Sequence, residues 1–246
     1  MSSPVNYQII KNAILLQMNH GTSNAFDLEL IECFNKCLDD IDNSRPLYII
    51  GKERFFSSGL NLVEMQKLNS QDFDYFINQF QDLLFRILTY PNMVTALING
   101  HAVAGGFILS CACDVRYITS SHFKIGMNEK QMNISLPPVP MAILKTVFGN
   151  QINRILNQVN FLTPDSDILS EYFYKTKYFE LDKLINSQIY KEYKSKHQTF
   201  RQEKVEAIKR YLSDNQIQIM KEFSRSWWTQ EAVNNRNDII YRLKLQ

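Results

Sequence analysis

Two short segments of this sequence are candidates to present free backbone N–H groups to a bound oxygen atom. They are FFSSGLNLVEM, residues 55–65, and INGHAVAGGF, residues 98–107. Each is predicted to follow a buried strand and to lead through a glycine turn into a helix, whose first N–H groups have no acceptor within the helix. If the two turns lie side by side, their N–H groups can hold one oxyanion without a charged side chain.

The rarity of glycine favours this interpretation. The chain has only 8 glycines in 246 residues, against a usual share of about 7%. Glycine permits a sharp turn or a close approach of two backbones. Packing alone explains any one of these residues, so the oxyanion-binding interpretation depends on the two turns lying together. Five of the eight fall in loops between the predicted central strands, namely Gly59, Gly100, Gly105, Gly106 and Gly126.

The elements that must position these turns alternate between short apolar strands and amphipathic helices. This pattern predicts an α/β architecture. We expect one main domain over residues 1–180 and a helical C-terminal region over residues 181–246. The predicted strands are a hairpin of 5–10 with 13–18, then 47–51, 93–98, 115–118 and 123–126. The predicted helices are 27–42, a helix capped by Ser70 that runs to Leu88, the helix after Gly105, 141–159, and charged stretches over 181–230.

Composition limits the classes of function. The net charge of +2 comes from 27 basic and 25 acidic residues that are interspersed, so we expect neither nucleic acid nor a membrane as a partner. The longest apolar run, 102–113, is about half of the roughly 20 residues that span a bilayer. The N-terminus has no pattern of a secretory signal. These observations favour a soluble, cytoplasmic protein that acts on a small molecule.

The four cysteines do not indicate a metal site. Cys33 and Cys37 lie four residues apart, and Cys111 and Cys113 lie two apart, so neither pair has the spacing of zinc ligands. We expect four free thiols in a reducing compartment, and no metal.

Together with three further elements, the glycine segments resemble the crotonase (enoyl-CoA hydratase/isomerase) superfamily. Asn24-Ala25-Phe26 is similar to the family's Asn-Ala-Leu element, and Cys113-Asp114 is similar to the Cys-Asp that closes its second motif. The segment FSRSWWTQEAV, 223–233, is similar to the C-terminal helix of its isomerases. The resemblance covers about residues 5–160, with the elements in order. It implies the ClpP/crotonase fold, a spiral of ββα units with a helical C-terminal trimerisation region, and a homotrimer or hexamer.

The resemblance also implies a substrate and a set of site residues. The substrate is an acyl thioester of coenzyme A or of a carrier protein, as in fatty acid metabolism, and no separate cofactor is needed. The N–H groups of Leu60 and Gly105 would hold the thioester oxygen, where an enolate collects its charge. The positions that would contact the substrate are Ala25, Ser58, Asn61, Leu62, Ile108 and Pro137.

The carboxylates distinguish the reactions within the family. Its hydratases use two glutamates to add water, and the first of these positions is Ile108 here. The second is Glu129, within IGMNEKQMNISLP, 125–137, which is similar to a segment of mitochondrial-type 3,2-enoyl-CoA isomerases. One carboxylate suffices to move a proton from C2 to C4, so the sequence predicts isomerisation of 3-enoyl thioesters with Glu129 as the acid and base.

Two alternatives stay open at this point. One is another enolate reaction of the family, namely decarboxylation or hydration of an acyl thioester. The other is a non-catalytic or RNA-binding relative. Asn133 stands where the resembling segment has glycine, and we expect it to keep the turn because asparagine adopts a left-handed backbone more readily than most residues.

Overall fold

The computed structural model describes residues 3–158, 160–185 and 188–244. The strands are β1 Val5–Ile10, β2 Ala13–Met18, β3 Leu47–Ile50, β4 Phe55–Ser57, β5 Val94–Ile98, β6 His101–Val103, β7 Val115–Ile118, β8 Ile125–Gly126 and β9 Tyr174–Lys175. The helices are α1 Leu28–Asp40, α2 Leu62–Met65, α3 Ser70–Leu88, α4 Gly105–Ala112, α5 Glu129–Met132, α6 Pro138–Phe148, α7 Ile152–Leu156, α8 Leu181–Ile185, α9 Gln188–Trp227 and α10 Gln230–Lys244.

The strands form two sheets that the chain visits in turn. The larger sheet has the order β1-β2-β3-β5-β7-β9, and the smaller has the order β4-β6-β8. From β3 to α6, each repeat adds one strand to the larger sheet and one parallel strand to the smaller sheet, and then forms one or two helices. This is the predicted spiral of ββα units, so the α/β fold class is confirmed.

Most predicted elements are present, and of the smaller sheet only β8 was predicted, as the strand over 123–126. Residues 52–60, where no strand was predicted, contain β4, and β6 follows β5 after only two residues. The glycine turns therefore follow β4 and β6, and not the longer buried strands. Strands of two or three residues are too short to show a period-2 pattern. The helix predicted over 141–159 instead ends at Phe148, and a 3₁₀ turn over Gly149–Gln151 separates α6 from α7.

The C-terminal helices share the main core with the ββα units. Ile208, Phe223 and Trp227 of α9 belong to the same buried cluster as the strands and as α3. Trp227 is 1% exposed and stacks on Phe73 with ring centroids 4.6 Å apart, whereas Trp228 is 43% exposed. Of the tryptophan pair, only Trp227 thus packs into the core of this chain.

Two further expectations concern the chain as a whole. All four cysteines are free thiols, as predicted. Across the ranges that the structure describes, no helix combines the length and the apolar character that a membrane span requires.

Gly106 allows α4 to pack directly on β4. A Cβ atom at this position would lie 2.3 Å from the carbonyl oxygen of Ser57 and 2.8 Å from its carbonyl carbon. The obstacle is backbone, which cannot rotate away as a side chain can. Any residue larger than glycine at position 106 must therefore push the helix away from the strand.

We predict that Gly106→Ala destabilises the fold by about 3 kcal/mol or more, the upper end of the usual cost of overpacking. Urea unfolding followed by circular dichroism measures this free energy. The matched control is Ser110→Ala in the same helix, which removes one hydroxyl bonded to the Phe107 carbonyl oxygen and should cost about 1 kcal/mol. Equal losses for the two variants would contradict the packing argument.

Candidate active site

Three candidate groups follow the carboxyl ends of the three neighbouring strands of the smaller sheet. The strands β4, β6 and β8 are parallel, so their carboxyl ends lie at the same edge. Leu60 follows β4 by three residues, Gly105 follows β6 by two, and Glu129 follows β8 by three. Ligands of α/β proteins bind at such edges of parallel strands. The fold therefore brings the predicted oxyanion-binding amides and the predicted carboxylate to one edge of the sheet.

The turns at Gly59 and Gly105 are in direct backbone contact. A Cβ atom at Gly59 would lie 2.8 Å from the Gly105 amide nitrogen, and Gly59 has a φ of +90°, which few other residues adopt. A Cβ atom at Gly105 would lie 3.2 Å from the Gly59 Cα atom. The two segments selected from the sequence thus lie side by side, as the oxyanion-binding interpretation requires.

Leu60 forms an isolated parallel bridge with Phe26, and its N–H group points away from Phe26. The Phe26 N–H donates to the Gly59 carbonyl oxygen at 2.7 Å, and the Asn61 N–H donates to the Phe26 carbonyl oxygen at 2.8 Å. Leu60 lies between these two bonds, and in a parallel bridge the N–H and C=O groups of such a residue point away from the partner segment. Among the described residues no acceptor is bonded to the Leu60 N–H.

The N–H group of Gly105 is the first of α4. It has no acceptor within the helix, and in the described ranges it has none outside. Ala104, just before it, has a φ of 49°, which is unusual for a residue with a Cβ atom. The Ala104 N–H donates to the Gly126 carbonyl oxygen at 2.8 Å, which fixes this turn against β8. Two donors without protein acceptors therefore lie on adjacent turns.

A buried polar network fixes the Gly59 turn. Asn24 is 2% exposed and donates through Nδ2 to the carbonyl oxygens of Phe55 and Phe56, each at 3.2 Å. The Ser57 hydroxyl donates to the Asn24 carbonyl oxygen at 2.7 Å and accepts the Gly59 N–H at 3.1 Å. Ser57 is not among the site residues predicted from the sequence, because a serine two residues before a glycine is too common to single out.

Asp27 extends this support to the other side of Leu60. Its carboxylate caps α1 by accepting the Leu30 N–H at 3.0 Å, and it lies 2.7 Å from His20 Nε2 and 3.4 Å from Asn61 Nδ2. Asn61 in turn caps α2 by accepting the Glu64 N–H at 3.3 Å. Neither Asp27 nor His20 was predicted to support the site, because their proximity to Asn61 arises only in the folded chain.

Glu129 is the first residue of α5 and is half-buried. One carboxylate oxygen, Oε2, accepts the Asn128 N–H at 2.9 Å. Burial dominates over this bond and raises the pKa of Glu129 to about 7. A carboxyl group with such a pKa can both accept and return a proton near neutral pH.

The C-terminal helices support α5 from the same chain. Asn133 ends α5 with φ 53° and ψ 43°, the left-handed backbone that was expected of it. Its Nδ2 donates to Glu231 of α10 at 2.9 Å, and the Ser135 N–H donates to the Ser226 hydroxyl of α9 at 2.9 Å. The segment 223–233, predicted as one helix, contains the junction between α9 and α10. Thr229 at this junction accepts the Ala232 N–H at 3.2 Å.

The other predicted substrate-contacting residues divide into two groups. Ser58, Asn61 and Leu62 flank Leu60 on the β4 turn, and Ala25 lies on the segment bonded to that turn. Ile108 is one turn into α4 and is 3% exposed.

Pro137 lies on a different element from the two glycine turns. It is buried at the start of α6, which α3 holds through the bond from the Val139 N–H to Gln81 Oε1 at 3.0 Å. The structure therefore brings the first five predicted substrate-contacting positions to the strand ends, whereas Pro137 immediately precedes α6.

Comparison with known proteins supports the same family. A family model described as enoyl-CoA hydratase/isomerase matches residues 9–159. The chain is 31% identical to a probable enoyl-CoA hydratase of Bacillus subtilis (strain 168) over 124 residues, 49% of this chain and 48% of that protein. It is 29% identical to the mitochondrial Delta(3,5)-Delta(2,4)-dienoyl-CoA isomerase of Mus musculus over 167 residues, 61% of this chain and 50% of that protein. The chain spans about half the length of these curated relatives.

A solved structure extends the similarity of fold to almost the whole chain. The human mitochondrial delta3-delta2-enoyl-CoA isomerase superposes with a TM-score of 0.84, covering 98% of each chain at 19% identity. The C-terminal helices are thus included in the shared fold. A cytoplasmic location stays a prediction, because the matching isomerase of Mus musculus is mitochondrial.

The pKa of Glu129 predicts a pH-dependent loss of stability. Its value is about 7 in the folded chain against 4.5 for an ordinary glutamate, so the folded chain keeps this proton to a higher pH. Unfolding then releases a proton between these pH values, and the folded state loses stability as the pH rises through them. At 1.36 kcal/mol per pKa unit, the loss is about 3 kcal/mol above pH 7.

Comparison with Glu129→Gln isolates this effect, since glutamine does not titrate. We predict that the variant gains about 3 kcal/mol of unfolding free energy relative to the wild type between pH 4 and pH 8. Urea titrations of both proteins at the two pH values measure the change. A difference in stability that is the same at both pH values would mean that Glu129 titrates as an ordinary glutamate.

Proposed function

The chain belongs to the enoyl-CoA hydratase/isomerase family, and from this premise we propose that it moves the double bond of a 3-enoyl thioester to position 2. The single observation that carries the proposal is that only one of the two carboxylate positions of the family's hydratases is occupied by a carboxylate. That residue is Glu129, half-buried and with a raised pKa, whereas the other position is the aliphatic Ile108. One carboxylate can shift a proton, whereas hydration by the family's usual route needs two.

The proposed reaction begins with proton removal from C2. The Glu129 carboxylate accepts this proton, and the electron pair of the broken C–H bond forms a dienolate that extends from the thioester oxygen to C4. The charge collects on the oxygen, where the N–H groups of Leu60 and Gly105 stabilise it. Loss of one good donor at such a site typically costs about 3 to 4 kcal/mol of barrier.

The reaction ends with proton return at C4. Protonated Glu129 gives the proton to C4, the double bond forms between C2 and C3, and the carboxylate is restored. A pKa of about 7 suits both steps, because the free energies of the protonated and ionised forms are then close at neutral pH. Ile108 assists by keeping water from the dienolate.

The structure supports rigid positioning of these groups. The network of Asn24, Ser57 and Asp27 holds the turn that bears Leu60. The contacts of α10 and α9 with Asn133 and Ser135 hold the helix that bears Glu129. A proton donor and an oxyanion site that are held by separate supports need little reorganisation during the reaction.

The carrier of the acyl group belongs to the same proposal. We propose coenzyme A as the carrier, since the family acts on acyl-CoA substrates, and a carrier protein is the alternative. Ala25, Ser58, Asn61 and Leu62 then contact the thioester and its arm, and Pro137 contributes to the wall around the acyl chain.

We predict that the purified protein converts 3-hexenoyl-CoA to 2-hexenoyl-CoA and hydrates crotonyl-CoA poorly. Glu129→Gln should lower kcat for isomerisation by at least about a hundredfold, since it removes the proton acceptor. Chromatography of the products together with mass spectrometry measures both reactions. The matched control is Glu206→Gln on α9, where an exposed carboxylate paired with Lys209 is removed and activity should be unchanged.

Each contrary result has a definite meaning. Rapid hydration of crotonyl-CoA would contradict the argument from Ile108. Full activity of Glu129→Gln would show that another group moves the proton. No turnover of either thioester, with retained binding, would favour the non-catalytic relative. Turnover of a 3-enoyl thioester of a carrier protein, but not of 3-hexenoyl-CoA, would contradict coenzyme A as the carrier and would still support the proposed isomerisation.

We further predict a homotrimer or a hexamer, as the family is typically oligomeric. The exposed aromatic side chains of Tyr75, Trp228 and Tyr241 are available for such contacts. Light scattering of the purified protein should give three or six times the mass of one chain. A mass of one chain at micromolar concentration would contradict this prediction.

A further inference from the structure

A cavity lies at the end of α4 opposite to Gly105. Its volume is about 440 Å³, and it is bounded by the start of β7, by α6, by residues 171–174 and by α9. Since α4 has eight residues, its two ends are about 12 Å apart. The cavity is therefore separate from the strand ends described above, and its volume is in the usual range for small-molecule sites.

Two cations form part of its wall. Lys204 of α9 is 7% exposed, and its ammonium group reaches the carbonyl oxygens of Ala112 and Cys113 at 3.3 and 3.5 Å. Arg116 of β7 donates through Nε to the Tyr172 carbonyl oxygen at 3.0 Å and through Nη1 to that of Cys113 at 2.9 Å. These bonds cap the carbonyl end of α4. The acceptors are neutral, so they satisfy N–H groups without balancing the charges.

Away from the opening, the wall has more cations than carboxylates. Asp114 is 8% exposed, and its Oδ2 already lies 3.2 Å from Arg201 Nη1 and accepts the Val94 N–H at 2.9 Å. Over the described residues, neither Lys204 nor Arg116 has a carboxylate within 4 Å. Of the charged groups that line the cavity away from its opening, Lys204 and Arg116 are thus two cations beside one carboxylate, Asp114, which is already paired with Arg201. An unbalanced buried charge is costly, and an anion beside it lowers that cost.

The rest of the wall suits an apolar group. Val115, Val147 and Ala207 present aliphatic surface, and the ring of Tyr172 lies against Phe148 with centroids 4.7 Å apart. The remaining carboxylates of the wall, Glu171 and Glu203, belong to exposed residues and hence lie at the rim. The cavity therefore has a buried cation, Lys204, and a partly buried one, Arg116, with apolar sides and with acidic groups at its opening.

We propose that this cavity binds a small amphipathic carboxylate, with its carboxylate group on Lys204 and on the remaining N–H groups of Arg116, and its apolar part against Val147 and Tyr172. Arg116 Nη2 has no acceptor in the described part of the chain, and the Lys204 bonds to carbonyl oxygens are long. Both can therefore turn to a charged acceptor, which forms the stronger bond. This proposal does not depend on the isomerase activity.

Isothermal titration calorimetry with three probes tests the proposal. Octanoate carries both the carboxylate and the apolar part, acetate carries only the first, and octanamide carries the second with a neutral head. We expect octanoate to bind at least about tenfold more tightly than either of the others, since both halves of the cavity contribute. Equal affinity for octanoate and octanamide would overturn the proposed role of the cations.

Variants distinguish this cavity from other places where octanoate could bind. Lys204→Met keeps the length of the side chain and removes the charge, and it should weaken octanoate binding by about tenfold or more. Ala207→Phe fills the cavity and should have the same effect without changing charge. The neighbouring control Glu203→Gln removes a rim carboxylate and should leave binding equal or tighter, and Glu129→Gln should leave it unchanged.

Thermal unfolding of each variant shows whether it is folded. If Lys204→Met does not fold, Ala207→Phe alone decides the question. Octanoate binding that persists in the folded Ala207→Phe variant, or that is lost in Glu129→Gln instead, would place the ligand elsewhere and overturn the proposal.

Discussion

The candidate site depends on the contact between two backbone turns, at Gly59 and at Gly105. Neighbouring parallel strands are only about 4.8 Å apart, so the turns that follow β4 and β6 can touch only where side chains are absent. Cβ atoms at Gly59 and Gly106 would lie 2.8 and 2.3 Å from backbone atoms of the other segment. The same contact puts the N–H groups of Leu60 and Gly105 on two touching turns. The packing of the sheet and the chemistry proposed for it thus have one geometric origin.

The remaining features of the site follow from burial at this edge. The turns carry polar backbone groups into the interior, and Asn24 and Ser57 satisfy several of them. At the next strand end, burial raises the pKa of Glu129 to about 7. The cost of an ionised buried carboxylate is a loss of stability at neutral pH, which a protein tolerates where the group has a function. The packing of α9 and α10 offsets part of this cost through contacts such as Trp227 on Phe73.

The sequence predicted the long elements and the two turns well, and it predicted side-chain networks poorly. The hairpin, α1, α3 and the strands β3, β5 and β7 of the larger sheet were found because each has enough residues to show its periodicity. The three-residue strands β4 and β6 and the two-residue strand β9 were not predicted, although the turns after β4 and β6 carry the two candidate amides. Leu60, Gly105 and Glu129 were selected through motifs and lie at one edge of the sheet. The roles of Ser57, Asp27 and Lys204 could not be predicted, since the partners Asn24, Asn61 and Ala112 are 33, 34 and 92 residues distant and meet them only in the fold.

The central claim is that the two turns hold one thioester oxygen while Glu129 lies beside its C2 atom. A crystal structure with hexanoyl-CoA, which has no double bond to move, tests this claim most directly. The account predicts that the thioester oxygen lies about 2.7 to 3.1 Å from both the Leu60 and the Gly105 amide nitrogens, with a Glu129 carboxylate oxygen in contact with C2. A thioester oxygen bound by other donors, or a Glu129 carboxylate remote from C2, would contradict it.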